Sequence, residues 1–223
     1  MYLNFGLESD ELEKRMGGGL YQGQIITVMG GVGDGKTLFS IRLAYGLVKN
    51  GNTVAYVSSQ FPIREFISES ETLGYPLFDS IMNDRVTYLT SVFVLMRARK
   101  PTIEEILLNR KIGEKNVVIL DSLQEGMFKD FEPVQFYSSL RKFSEGRIVM
   151  VTLNPSDFDE QTLLKIHQLS TTVISLNSKD MLGERKHIID LIKFPMARHS
   201  FQQTIPYRIE PGRGLIVEIS SVS

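Results

Sequence analysis

The octet Gly30-Gly31-Val32-Gly33-Asp34-Gly35-Lys36-Thr37 constrains this chain more than any other stretch. It matches G-x-x-x-x-G-K-[ST], the P-loop that cradles nucleotide phosphates, and its flanks are those the loop needs. Upstream, Gln24-Ile25-Ile26-Thr27-Val28-Met29 reads as a buried strand. Downstream, Leu38 to Val48 carries apolar residues at i, i+3, i+4 and i+7 and stops at Asn50-Gly51, the pattern of a helix with a glycine end signal. Strand, tight turn and helix in that order open a β–α unit, the building block of a parallel sheet. A loop so placed aims backbone N–H groups and a helix N-terminus at a phosphate chain. The motif assigns Lys36 to the β- and γ-phosphates and the Thr37 hydroxyl to Mg2+. Gly31, Val32, Gly33, Asp34, Gly35 and Leu38 complete the predicted contact with ATP or GTP.

The rest of the chain continues the alternation. Thr53–Ser58 reads as a strand, Ile63 to about Leu73 as a helix and Val86–Leu89 as a short strand. Thr102 is placed to cap a helix to about Arg110, with Glu104 and Glu105 in its first turn complementing the macrodipole. Asn116–Asp121 is an apolar strand with an acid at its end. A helix opens at Pro133 and ends near Gly146, Arg147–Leu153 is a strand, and Asp159 or Thr162 starts a helix to about Leu169. From Thr171 the texture becomes strand-like: Thr172–Leu176, His187–Ile192, Ile205–Ile209 and Leu215–Ile219, separated by turn signals such as Asn177-Ser178 and Pro211-Gly212-Arg213-Gly214. The predicted class is α/β, a mainly parallel sheet with helices on both faces and a C-terminal antiparallel extension, in a single domain over residues 1–223.

Composition narrows the function. With 223 residues and no cysteine, disulfides, thiolate metal sites and a cysteine nucleophile are excluded. A net charge of −1 and a pI of about 6.3 argue against a general attraction to nucleic acid. The first residues carry neither a basic nor an apolar leader pattern. No apolar run approaches the roughly 20 residues of a membrane span. The expectation is a cytoplasmic protein.

Val117-Val118-Ile119-Leu120-Asp121 supplies the second half of a nucleotide site, a buried strand ending in an acid that holds Mg2+ through water. The next residue is Ser122, not a second acid, which argues against families whose catalytic base directly follows that aspartate.

Leu12-Glu13-Lys14-Arg15-Met16-Gly17-Gly18-Gly19-Leu20-Tyr21-Gln22-Gly23-Gln24 resembles the glycine-rich lead-in of RecA/KaiC-type ATPases, and Asp121-Ser122 is typical of them. Asn154 to Glu160 and Ile209 to Leu215 resemble, within that superfamily, the archaellum accessory ATPases of the FlaH (ArlH) group. The resemblance covers nearly the whole chain. It implies a RecA-like fold, ATP and Mg2+ as ligands, and a homo-oligomeric ring with nucleotide between subunits. It also implies a motor ATPase and a membrane platform protein as partners, at the periphery of a membrane complex.

Two departures bear on chemistry. In active relatives of this kind a glutamate after the second strand activates the attacking water, and Gln60 stands at that position here. An amide orients water but accepts no proton, a loss of roughly 10²–10⁴-fold; the nearest acid, Glu65, falls inside the following helix. KaiC-like proteins also carry a K-x-R pair that reaches a neighbour's γ-phosphate. The stretch here is Lys193-Phe194-Pro195, with Arg198 the nearest substitute. Lys193 is either that contact or an exposed strand lysine. Asn154 is either a γ-phosphate sensor or a turn residue before Pro155. With Lys36, Asp121 and Gln60 as the candidate catalytic set, the expectation is an ATP-dependent assembly or regulatory subunit with weak hydrolysis.

A rival remains, a recombinase-like protein of the RadA type that binds single-stranded DNA. Six Lys/Arg against Asp190 and Glu210 between Arg185 and Arg213 keep it open. The runs Arg97-Arg99-Lys100 and Arg141-Lys142-Arg147 read as solvated faces, and Phe93, Met96, Phe128, Phe131, Phe136 and Tyr137 as core. His167, His187 and His199 are too scattered for a metal triad. No arginine-rich lid supports a small-molecule kinase.

Overall fold

Four runs of five or six residues are buried at every position, which is what a strand covered on both faces demands. They are β3 (Ile25–Met29), β4 (Val54–Ser58), β6 (Val117–Asp121) and β7 (Ile148–Leu153). The computed structural model describes residues 1–90, 103–122, 132–181 and 184–218. Within them, β5 (Val86–Thr90) and β8 (Thr172–Met181) join those four runs as parallel strands in the order β8-β3-β7-β6-β4-β5. Beyond β8 the sheet turns antiparallel through β9 (Glu184–Lys193), β10 (Thr204–Glu210) and β11 (Gly214–Val217). The fold is thus the anticipated α/β sheet with an antiparallel extension.

Successive strand residues point to opposite faces and so divide the core in two. Ile26, Val28, Tyr56, Ile119 and Ile174 pack with Phe39 and Leu47 of α2 (Lys36–Lys49) and Phe66 of α3 (Ile63–Thr72). Ile25, Val57, Val118 and Val149 pack with Tyr137 and Leu140 of α7 (Pro133–Phe143) and Ile166 of α8 (Glu160–Leu169). The Asp159 carboxylate caps α8 by accepting from the Thr162 N–H, which settles the two candidate starts.

Some elements differ from expectation. Asn177-Ser178 is no turn: β8 runs through it, because the Asn177 amide donates across to Asp190 on β9 and the Ser178 hydroxyl to Asp34. The helix expected to reach Arg110 breaks into α5 (Ile103–Leu107) and α6 (Arg110–Gly113), where the Asn109 side chain caps the second piece. Arg141 and Lys142 are exposed, as expected of a solvated face, whereas Arg147 is half-buried and donates to the carbonyl oxygens of Phe143 and Gly113. Unanticipated are β1 (Tyr2–Leu3) paired with β2 (Leu20–Tyr21), α1 (Leu12–Arg15) and α4 (Phe78–Met82), all too short to leave a periodicity. Thr102, Phe93, Met96, Arg97, Arg99, Lys100, Phe128 and Phe131 lie outside the described residues.

The N-terminal segment is fastened to α2 by a charge pair with no solvent exposure on either side chain. Arg42 donates to both oxygens of Asp10, at 2.5 and 2.9 Å, and to the Phe5 carbonyl at 2.7 Å. Breaking such a pair leaves a buried charge uncompensated. Asp10→Asn is therefore expected to lower stability by about 3–5 kcal/mol, read from urea denaturation. Joint replacement by Asp10→Leu and Arg42→Met should recover much of that loss. Equal stability for Asp10→Asn and the parent would remove the pair from any structural role.

Candidate functional site

β3 delivers the P-loop to the sheet's C-terminal edge, and α2 leaves from it. Gly33 and Gly35 hold φ of 81° and 88°, left-handed conformations that favour glycine, and Gly35 is the residue that opens α2. Lys36 Nζ donates to the carbonyl oxygens of Gly30 and Gly31 at 2.7 and 2.8 Å. Burial pulls its pKa down, while the charges of Asp121, Asp34 and Asp157 oppose that shift. The Asp34 carboxylate accepts from the Gly31 N–H at 2.7 Å. Val32 stands 91% exposed at the loop's tip, whereas Leu38 is buried.

Asp121 closes the site from β6 and has no solvent exposure. Its carboxylate accepts from Tyr56 at 2.8 Å, Thr152 at 2.9 Å and, more weakly, Ser122 at 3.4 Å. Burial pushes its pKa up; the hydroxyls of Tyr56, Thr152 and Thr37 and the Lys36 charge push it back. Ser122 sits at φ 53°, held by its N–H to Thr152 Oγ1 and by its carbonyl, which accepts from the Ser59 hydroxyl. Thr37 and Asp121 together offer hard oxygen donors, the set that suits Mg2+.

Gln60 follows β4 into the same site. Its Oε1 accepts from the Thr37 hydroxyl at 3.2 Å, and its N–H donates to Ser58 Oγ at 3.1 Å. Between them opens a cleft of about 510 Å³, with Lys36, Thr37, Gln60 and Ser122 on its polar side and Phe61, Leu73 and Ile209 on its apolar side.

The structure brings Gly31–Leu38, Gln60 and Asp121 together; Asn154 follows β7 beside the P-loop, where the Leu153 carbonyl accepts from the Gly30 N–H, and Lys193 lies elsewhere on the sheet. Asn154 spends its side chain on a one-turn helix, accepting from the Ser156 N–H and donating to Asp157. Lys193 is paired with Val173 toward the far end of β8. Its ammonium donates to the carbonyls of Ser170 and His167 at the end of α8. Arg198 lies over the Tyr2 ring, 5.8 Å from its centre.

Sequence reasoning missed Tyr56, Thr152, Ser178 and Tyr207. A tyrosine and a threonine in fully apolar strands were the available signal, because a buried hydroxyl needs a partner. Tyr56→Phe keeps the ring and removes the strongest donor to Asp121. It is expected to destabilise the protein by about 1.5–3 kcal/mol in chemical denaturation, the range for hydrogen bonds to charged groups.

Residues 8–221 match the model of the family described as "ATPase: KaiC". The archaeal flagellar ATP-binding protein FlaH of Methanocaldococcus jannaschii is 31% identical over 224 residues, 97% of this chain and 96% of the relative. FlaH of Methanococcus voltae is 30% identical over 229 residues, 100% and 99% of the two chains. The crystal structure of the flagellar accessory protein FlaH from M. jannaschii superposes with a TM-score of 0.90 at 28% identity, covering 99% of this chain and 100% of that one. With a P-loop, a buried Walker B aspartate and these full-length matches, the chain belongs to the KaiC family of ATPases and, within it, stands with the archaeal FlaH proteins.

Proposed function

We propose that this protein binds Mg·ATP and acts as a nucleotide-dependent assembly subunit of an archaellum-type motor, hydrolysing ATP slowly at most. One observation carries the reading. The P-loop, Thr37 and Asp121 converge as a metal–phosphate site, yet the side chain that meets Thr37 from β4 is the amide of Gln60. The apolar wall of Phe61, Leu73 and Ile209 suits a nucleobase, which would leave the phosphates on Lys36. Bound there, Mg2+ would be held by Thr37 and, through water, by Asp121, and would neutralise phosphate charge. Gln60 orients water without taking its proton, and the position expected for an arginine finger holds Pro195.

The names of the FlaH relatives, archaeal flagellar ATP-binding proteins, support the archaellum setting; a motor ATPase and a membrane platform as partners of a cytoplasmic ring are what the resemblance to that group implies. No helix among the described residues is long and apolar enough to cross a membrane. Binding to single-stranded DNA is the weaker reading. Of the basic residues that kept it open, Arg208 and Arg213 are paired with Glu210, Lys186 with Glu218, and Lys193 with α8.

Purified protein loaded with Mg·ATP and held for hours at a temperature where it stays folded should return mostly ATP on chromatography. Lys36→Ala should bind none, and Gln60→Glu should convert ATP to ADP faster than the parent, by up to roughly 10²-fold. A parent protein that turns over ATP several times a minute, with Lys36→Ala inactive, would overturn the switch reading.

A further inference from the structure

The P-loop is braced from the side by the antiparallel extension. Ser178 on β8, His187 on β9 and Tyr207 on β10 lie in register as one row across three strands. Ser178 Oγ donates to Asp34 Oδ1 at 2.6 Å, while the other oxygen of that carboxylate holds the Gly31 N–H at 2.7 Å. The Tyr207 hydroxyl lies 3.5 Å from the Asp34 carbonyl oxygen, and a Cβ added to Gly35 would come within 2.8 Å of that hydroxyl. The His187 ring stacks on Tyr207, with centres 5.2 Å apart. The motif G-x-x-x-x-G-K-[ST] leaves position 34 open, so nothing in phosphate binding itself calls for an acid there.

Two grips hold the loop. From inside, Lys36 donates to the carbonyls of Gly30 and Gly31. Two of its three N–H donors are so used, and a phosphate would draw on the third. From outside, Asp34 ties Gly31 to β8. Phosphates entering the loop also bring negative charge toward the Asp34 carboxylate, and the bond to Ser178 is the contact that must answer it. β8 and β9 are ten residues each, and β9 pairs with β10 only from His187 to Asp190. From Ser178, level with the last of those pairs, the segments 179–181 and 184–186 therefore extend as a two-stranded arm beyond that pairing.

We propose that Asp34 is a positioning residue of the P-loop and that its hydrogen bond to Ser178 makes the β8–β9 arm respond to phosphate occupancy. The proposal rests on the ATP-binding reading above and adds the route by which occupancy leaves the site. Ligand-driven coupling needs a contact that differs between the two states, and this bond is that contact.

The test is hydrogen–deuterium exchange by mass spectrometry with and without Mg·ATP, beside equilibrium binding of the same nucleotide. In the parent, Mg·ATP should slow exchange both in the P-loop and in the strands of the arm. Ser178→Ala should bind Mg·ATP about tenfold more weakly. At saturation it should keep the P-loop protection and lose the slowing in the arm. Ser178→Thr, which retains the hydroxyl, should restore both. An arm that responds equally in Ser178→Ala, or that does not respond in the parent while the P-loop does, overturns the coupling alone. No binding and no P-loop protection in the parent would overturn the ATP reading itself, and this proposal with it.

Discussion

A carboxylate with no solvent exposure, at the end of a central strand, sets the terms for the surrounding structure. Asp121 cannot be buried as an anion without donors, and the fold supplies hydroxyls from both neighbouring strands. Tyr56 reaches it from β4 and Thr152 from β7, so the carboxylate is held only when three strands are in the correct register. A slip by one residue would send every one of these side chains to the opposite face. The same arrangement leaves Asp121 facing Thr37 and Lys36, so the interaction that fixes the register also equips the site.

Much of the fold was legible because its elements are long and repetitive. The apolar runs of β3, β6 and β7 and the helical spacing of α2 announce themselves, and the P-loop ties two of them together. What escaped was pairwise and distant. Ser178 and Asp34 are 144 positions apart, and nothing local to Asn177-Ser178 distinguishes a turn from a strand whose polar groups have partners across the sheet. The β1–β2 pair is two residues long and exists through its neighbours. In the site, residue types with a motif were found, and those acting by burial and register were not.

Gln60 and Lys193 differ in what the fold asks of a polar side chain. Gln60 enters the cleft and meets Thr37 with an amide. The Lys193 ammonium gathers carbonyls at the end of α8, where a cation complements the helix dipole.

The bracing of the P-loop by Ser178 and Tyr207 also has an order in time. On the ribosome Tyr207 is made roughly 170 residues after the loop. At about 5–20 residues per second that interval is on the order of ten to thirty seconds. For most of it the glycine-rich loop has its lysine and its helix but neither of these lateral supports. The nascent chain thus acquires its phosphate-binding sequence long before it acquires the strands that hold that sequence in shape, and a finished site is a late product of synthesis.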